Sequence, residues 1–87
     1  CITFNFINAE NEFVGGSIHP GLKMRFKAMH TFTGKLPLIE LENHVEMIGN
    51  DTKTNLLAGG IYGASKEIDA VVSDIEIIRL VVIFYPR

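Results

Sequence analysis

The chain has 87 residues, 47% of them hydrophobic, with one cysteine and a formal net charge of −2. That length makes at most one small domain. The scattered basic residues exclude a nucleic-acid footprint, the single cysteine excludes an internal disulfide and points to a reducing, cytoplasmic setting, and no apolar run reaches the roughly 18 residues of a membrane span. The apolar fraction stands at the top of the usual range, and Cys1 stands where a start methionine would be. Both imply a piece of a longer protein, with apolar surface meant for other parts of it.

The first eight residues alternate, with Ile2, Phe4 and Phe6 on one side and Thr3 and Asn5 on the other. That pattern predicts a half-buried strand. A polar turn from Ala9 to Glu12 leads to Phe13 and Val14, which start a second strand and make a hairpin. Gly15 and Gly16 then interrupt it. Paired glycines there mark a bulge, or a place where another backbone or a ligand comes close.

After Ser17, Ile18 and His19 the chain leaves the sheet, and Pro20 can occupy the first position of a helix. Leu22, Phe26, Met29 and then Phe32 or Thr33 define one face of that helix, with Lys23, Arg25 and Lys27 off it. Met24 and Met29 read as core packing. Gly34 suits a left-handed helix end. Lys35, Leu36 and Pro37 lead to a short alternating strand over residues 38–42. Glu40 and Glu42 share one face of it, and a solvated strand face explains them better than a catalytic carboxylate pair.

The stretch from Ile48 to Gly63 organises the rest. Gly49, Asn50, Asp51 and Thr52 supply a turn and side chains able to cap a helix. Leu57, Ile61, Ala64, Ile68, Val71, Val72 and Ile75 follow at helical spacing. Thr52 therefore falls in the first turn, where unpaired N–H groups and the positive end of the helix dipole face outward. That geometry suits a carboxylate or phosphate, and it equally suits plain capping. Gly59, Gly60, Gly63 and Ala64 form a small-residue patch. Each glycine costs about 1 kcal/mol relative to alanine, so the patch implies close packing against another element or a ligand. From Ile75 to Tyr85 the sequence is β-rich and almost wholly apolar, and reads as a buried strand or a sticky edge.

Generic chemistry is scarce. Cys1, His19, His30 and His44 do not fall at metal-ligand spacings, and no Walker motif, dinucleotide fingerprint or nucleophile elbow is present.

The motif order resembles that of the type III pantothenate kinases, members of the acetate-and-sugar-kinase, heat-shock-chaperone and actin superfamily. The matching pieces are Cys1 to Phe4, then the run Phe13 to Leu22 with its Gly-Gly-x-Ile-x-Pro-Gly element, then Met29 to Pro37. Ile48, Gly49, Asn50, Asp51 and Thr52 follow as an Ile-Gly-x-x-Thr element leading to Gly60, Ile61, Tyr62 and Gly63. The two elements in this order and spacing are specific; either alone is weak.

The resemblance implies an α/β fold. The chain would be part of a ribonuclease-H-like domain, an antiparallel hairpin continuing into further strands with two packed helices, from the C-terminal half of a two-domain kinase. It implies a parent that phosphorylates pantothenate with ATP and Mg2+, the first step of coenzyme A synthesis, using a monovalent cation (K+ or NH4+) and acting as a homodimer. Thr52 matches the threonine that contacts pantothenate across the dimer interface. Gly15 and Gly16 match a family motif and are a candidate ligand-proximal loop. No catalytic or metal-binding residue is carried over: the family's Asp-x-Gly-Thr strand, first phosphate loop and catalytic aspartate are expected upstream, so residues 1–87 alone are expected to be inactive. Residues 75–87 depart from the family pattern, an atypical tail. Another kinase of the same superfamily, or a non-catalytic dimerising module, is the alternative.

Overall fold

Two short strands, two helices and a third strand follow one another along the chain. In the computed structural model, which describes residues 1–74 and 79–84, β1 is Ile2–Ile7, β2 is Phe13–His19, α1 is Leu22–Thr33, α2 is Thr52–Asp74 and β3 is Arg79–Phe84. The strands form one antiparallel sheet in the order β2-β1-β3. The architecture is α/β, with β1 in the middle because its alternation lets it bury Ile2 and Phe4 on one face while both its edges are paired.

The β1–β2 hairpin forms as expected. Asn8 organises its turn: its side-chain oxygen accepts the N–H groups of Glu10 and Glu12 at 3.0 and 2.9 Å, and Asn11 adopts a positive φ of 68°, which asparagine tolerates better than most residues. The bulge expected at the glycines is present. Phe6 pairs with Gly15 and Ile7 with Phe13, so Val14 is the extra residue on β2. Gly15 takes a φ of 138° there. Gly16 is where another backbone comes close, since a Cβ on it would overlap the Phe4 carbonyl and lie 3.1 Å from its carbon.

Helix α1 begins one step later than the proline suggests. Gly21 is the N-cap and Leu22 the first helical residue, which leaves Pro20 outside. Gly34, at φ 76°, closes the helix in the left-handed conformation. The predicted apolar face is narrower than its spacing implies. Phe26 is buried against Gly60 of α2, but Phe32 is 85% exposed and Met24 is exposed too. Neither Met24 nor Phe32 is core. Thr33 uses its hydroxyl on the Met29 carbonyl instead.

No strand forms over residues 38–42. The segment pairs with neither edge strand of the sheet, β2 or β3, and is fastened to α2 instead. Lys53 pairs with Glu42 at 2.7 Å, and the Tyr62 hydroxyl donates to the Val45 carbonyl at 2.8 Å.

Helix α2 supplies most of the remaining core through Leu56, Leu57, Ala58, Gly60 and Ala64. Its small-residue patch divides in two. A Cβ on Gly60 would overlap the Phe26 ring, lying 2.8 Å from Cζ, whereas Gly59 and Gly63 have nothing within 4 Å of theirs. The tail forms a strand, β3, which pairs with β1 from Ile2 opposite Phe84 to Ile7 opposite Arg79. Residues 75–78 and 85–87, where the rest of the predicted apolar strand falls, lie outside the described residues.

Candidate functional site

The start of α2 is built by a reciprocal set of hydrogen bonds. Asp51 is the N-cap: its carbonyl accepts the Asn55 N–H at 2.9 Å, and its Oδ1 accepts the Thr54 N–H at 2.8 Å. Thr54 answers from the third helical position, its Oγ1 accepting the N–H groups of Asn50 at 2.9 Å and Asp51 at 3.0 Å. This is a capping box with threonine in the place of the usual Glu or Gln. The hydroxyl and N–H of Thr54 hold the Asp51 carboxyl below its ordinary pKa, with a smaller contribution from the charge of Lys53. Gly49 has to be a glycine, since a Cβ would lie 2.7 Å from the Asn55 Cα and overlap the neighbouring backbone.

Thr52 stands apart from this box. It is the first residue of α2 and exposed, and its hydroxyl has no hydrogen-bond partner among the described residues. Capping is the work of Asp51 and Thr54. The expectation that Asn50, Asp51 and Thr52 together cap the helix therefore holds for Asp51, while the Asn50 contribution is its backbone N–H.

An open groove of about 510 Å³ runs from this turn along the exposed side of α2. Met47, Ile48 and Gly49 form one wall, and Asn55, Gly59, Gly63 and Lys66 are among the α2 residues opposite. The absence of side chains at Gly59 and Gly63 keeps the floor low. Ile48 is 86% exposed at the rim.

Gly15 borders the bulge of β2 and Gly16 pairs beside it with Asn5, away from α2 in the sequence and on a different element. Nothing in the described residues brings them to Thr52. Among those residues no group of His, Cys, Asp and Glu could hold a metal ion, and no helix is long and apolar enough to cross a membrane.

A second polar cluster joins β2, α1 and α2, and sequence reasoning missed it. Glu67 Oε2 lies 2.6 Å from Arg25 Nη2 and 2.8 Å from His19 Nδ1, and His19 Nε2 lies 2.7 Å from Ser17 Oγ. Arg25 Nε also donates to the Pro20 carbonyl at 2.9 Å, and the Phe4 ring meets the imidazole edge-on at 4.8 Å. Burial pushes the Glu67 carboxyl up, but the hydrogen bonds and charges of Arg25 and His19 outweigh it and leave the pKa lowered. Ser17 and His19 two apart on one strand share a face, a signal the sequence carried. Their meeting with Glu67, 48 residues away from His19, had none.

The family model for type III pantothenate kinase matches residues 1–74. The chain belongs to the type III pantothenate kinase family. A type III pantothenate kinase of Phocaeicola vulgatus is 40% identical over 76 residues, covering 87% of this chain and 31% of that protein. One of Bacteroides fragilis is 42% identical over 73 residues, 84% of this chain and 30% of that protein. One of Porphyromonas gingivalis is 42% identical over 79 residues, 87% of this chain and 32% of that protein. The chain thus spans about a third of the length of the curated relatives it matches. No solved structure matches it. Family membership sets aside another kinase of the same superfamily.

Proposed function

We infer that this chain is part of an enzyme that phosphorylates pantothenate with ATP, and that its own contribution is to the pantothenate site. The observation that carries this reading is the division of labour at the start of α2. Asp51 and Thr54 complete the cap between them, so the Thr52 hydroxyl and the outward N–H groups of the first turn are left for a ligand. The carboxylate of pantothenate has the charge that such a helix start favours.

Phosphoryl transfer depends mostly on positioning and on neutralising phosphate charge. In this reading Mg2+ and the monovalent cation, K+ or NH4+, are held by parts of the enzyme beyond these residues. The catalytic base and the phosphate loops are assigned there as well. The sheet and its two helices belong, in this reading, to a ribonuclease-H-like domain of a cytoplasmic enzyme. Residues 75–87 are its atypical tail. Gly15 and Gly16 are a ligand-proximal loop of the same domain; the Phe4 backbone pressed against Gly16 also gives that glycine a purely structural reason.

In this reading the enzyme is a homodimer, and Thr52 serves the neighbouring subunit's site. Exposed apolar side chains around that helix start, Leu38, Leu41, Met47 and Ile48, support a protein neighbour there. Thr52→Ala in the full-length enzyme tests the assignment. It removes one hydrogen bond, of order 1 kcal/mol, and should raise the KM for pantothenate several-fold while leaving the KM for ATP and the melting temperature nearly unchanged. A change in stability with the pantothenate KM intact would overturn it.

A further inference from the structure

Ser17 and His19 occupy the two variable positions of the Gly-Gly-x-Ile-x-Pro-Gly element, and they are joined in a chain of hydrogen bonds to a carboxylate. The direction of that chain follows from its end groups. Glu67 is ionised and its pKa lowered, so it can only accept. His19 Nδ1, 2.8 Å away, must carry the proton it donates. In the neutral imidazole, Nε2 is then the acceptor, and the donor beside it is the Ser17 hydroxyl at 2.7 Å. Arg25, 2.6 Å from the same Glu67 oxygen and anchored on the Pro20 carbonyl, fixes the carboxylate. The Phe4 ring fixes the imidazole from the side. A hydroxyl bonded to a base whose other nitrogen is oriented by a third group is the arrangement of an activated nucleophile. Ser17 is half-buried and not sealed in the core, so a small reagent can reach it.

We propose that Ser17 is a histidine-activated hydroxyl that accepts acyl or phosphoryl groups from activated donors. In the step, Ser17 Oγ attacks the electrophilic carbon or phosphorus and forms the new bond. Its proton passes to His19 Nε2. The bond to the leaving group breaks, and the leaving group takes the electron pair and then that proton. Glu67 does not touch the donor; it is a positioning residue that holds the imidazole in the reactive tautomer. General-base help of this kind is worth about 10²–10⁴-fold, so stoichiometric modification is the expected outcome rather than turnover. The reading is independent of the pantothenate assignment, because none of its residues lies at the start of α2.

The 87-residue chain treated with a fluorophosphonate probe at pH 8 supplies the test, with the adduct located by peptide mass mapping. Displacement of fluoride should label Ser17 and spare Ser65 and Ser73. Ser17→Ala should abolish the adduct. His19→Gln should slow labelling by about 100-fold or more, and Glu67→Gln by a smaller factor. No adduct on the folded chain, equal reaction at Ser65 or Ser73, or an unchanged rate in a folded His19→Gln variant would each overturn the proposal. If His19→Gln loses its far-UV dichroism, wild-type protein in native buffer and in urea decides instead. Labelling that vanishes on unfolding supports the relay, and labelling that survives refutes it.

Discussion

Gly59 and Gly60 are neighbours in sequence and opposites in consequence. Gly60 faces α1, where the buried Phe26 ring leaves no room for a Cβ, while Gly59, like Gly63, opens onto the groove with nothing near. One side of α2 is therefore set by packing and the other carries glycines that packing does not require. The lesson is that a small-residue patch read from sequence is not one feature: the same residue type marks a tight helix crossing on one side and an unfilled surface on the other.

Four measurements test this contrast, the largest effect first. Phe26→Ala should cost about 3–5 kcal/mol, because it removes a buried aromatic ring packed against Gly60 between the helices and leaves a cavity; denaturant titration would show it. Gly60→Ala should also destabilise, since overpacking of about 1–3 kcal/mol exceeds the propensity gain of about 1 kcal/mol. Gly59→Ala and Gly63→Ala should do the reverse, each stabilising by up to about 1 kcal/mol, seen as a rise in Tm. A loss of stability at both would mean that the groove side is packed after all. The smallest effect concerns the polar cluster between β2 and the helices. The folded-state pKa of Glu67 is lowered from 4.5, so its contribution is fully present above that value and lost as pH falls through the folded pKa. Melting temperature should be level above about pH 5 and decline below it, and Glu67→Gln should flatten part of that decline. Asp51, also lowered, acts in the same direction.

Local rules made much of the fold legible. Strict alternation gave β1, the glycine pair its bulge, Gly34 the end of α1, and the polar run before Leu56 the start of α2. Two misreadings, of residues 38–42 and of Phe32, share a cause, that local pattern does not say whether a partner exists. Residues 38–42 alternate like a strand but join neither edge of the sheet, held to α2 by Lys53 and Glu42 instead. Phe32 sits at the right helical spacing but beyond the reach of α2, and is exposed. Pro20 is a good first helical residue, yet Gly21 caps the helix after it. In the candidate site, the position of Thr52 was readable, but not that Thr54 would complete the cap and release it. That depended on whether a hydroxyl at the third helical position would turn back to Asn50 and Asp51, and a threonine there is not the residue a capping box usually signals. No local pattern marked Glu67, which the topology brings to His19 and Arg25.

The central place of β1 has a kinetic consequence. Its pairing with β2 closes across a short turn, but its pairing with β3 brings Ile2 opposite Phe84, after both helices have been traversed. Contacts so distant along the chain form late, since the entropy of closing the loop is lost before the contact rewards it. Until β3 arrives, β1 presents a row of unsatisfied backbone groups beside the apolar side chains of Ile2 and Phe4, an open template for a strand from another molecule. Refolding should then compete with a second-order side reaction, so that the yield of native chain falls as protein concentration rises, and synthesis at low concentration or low temperature should favour the native fold.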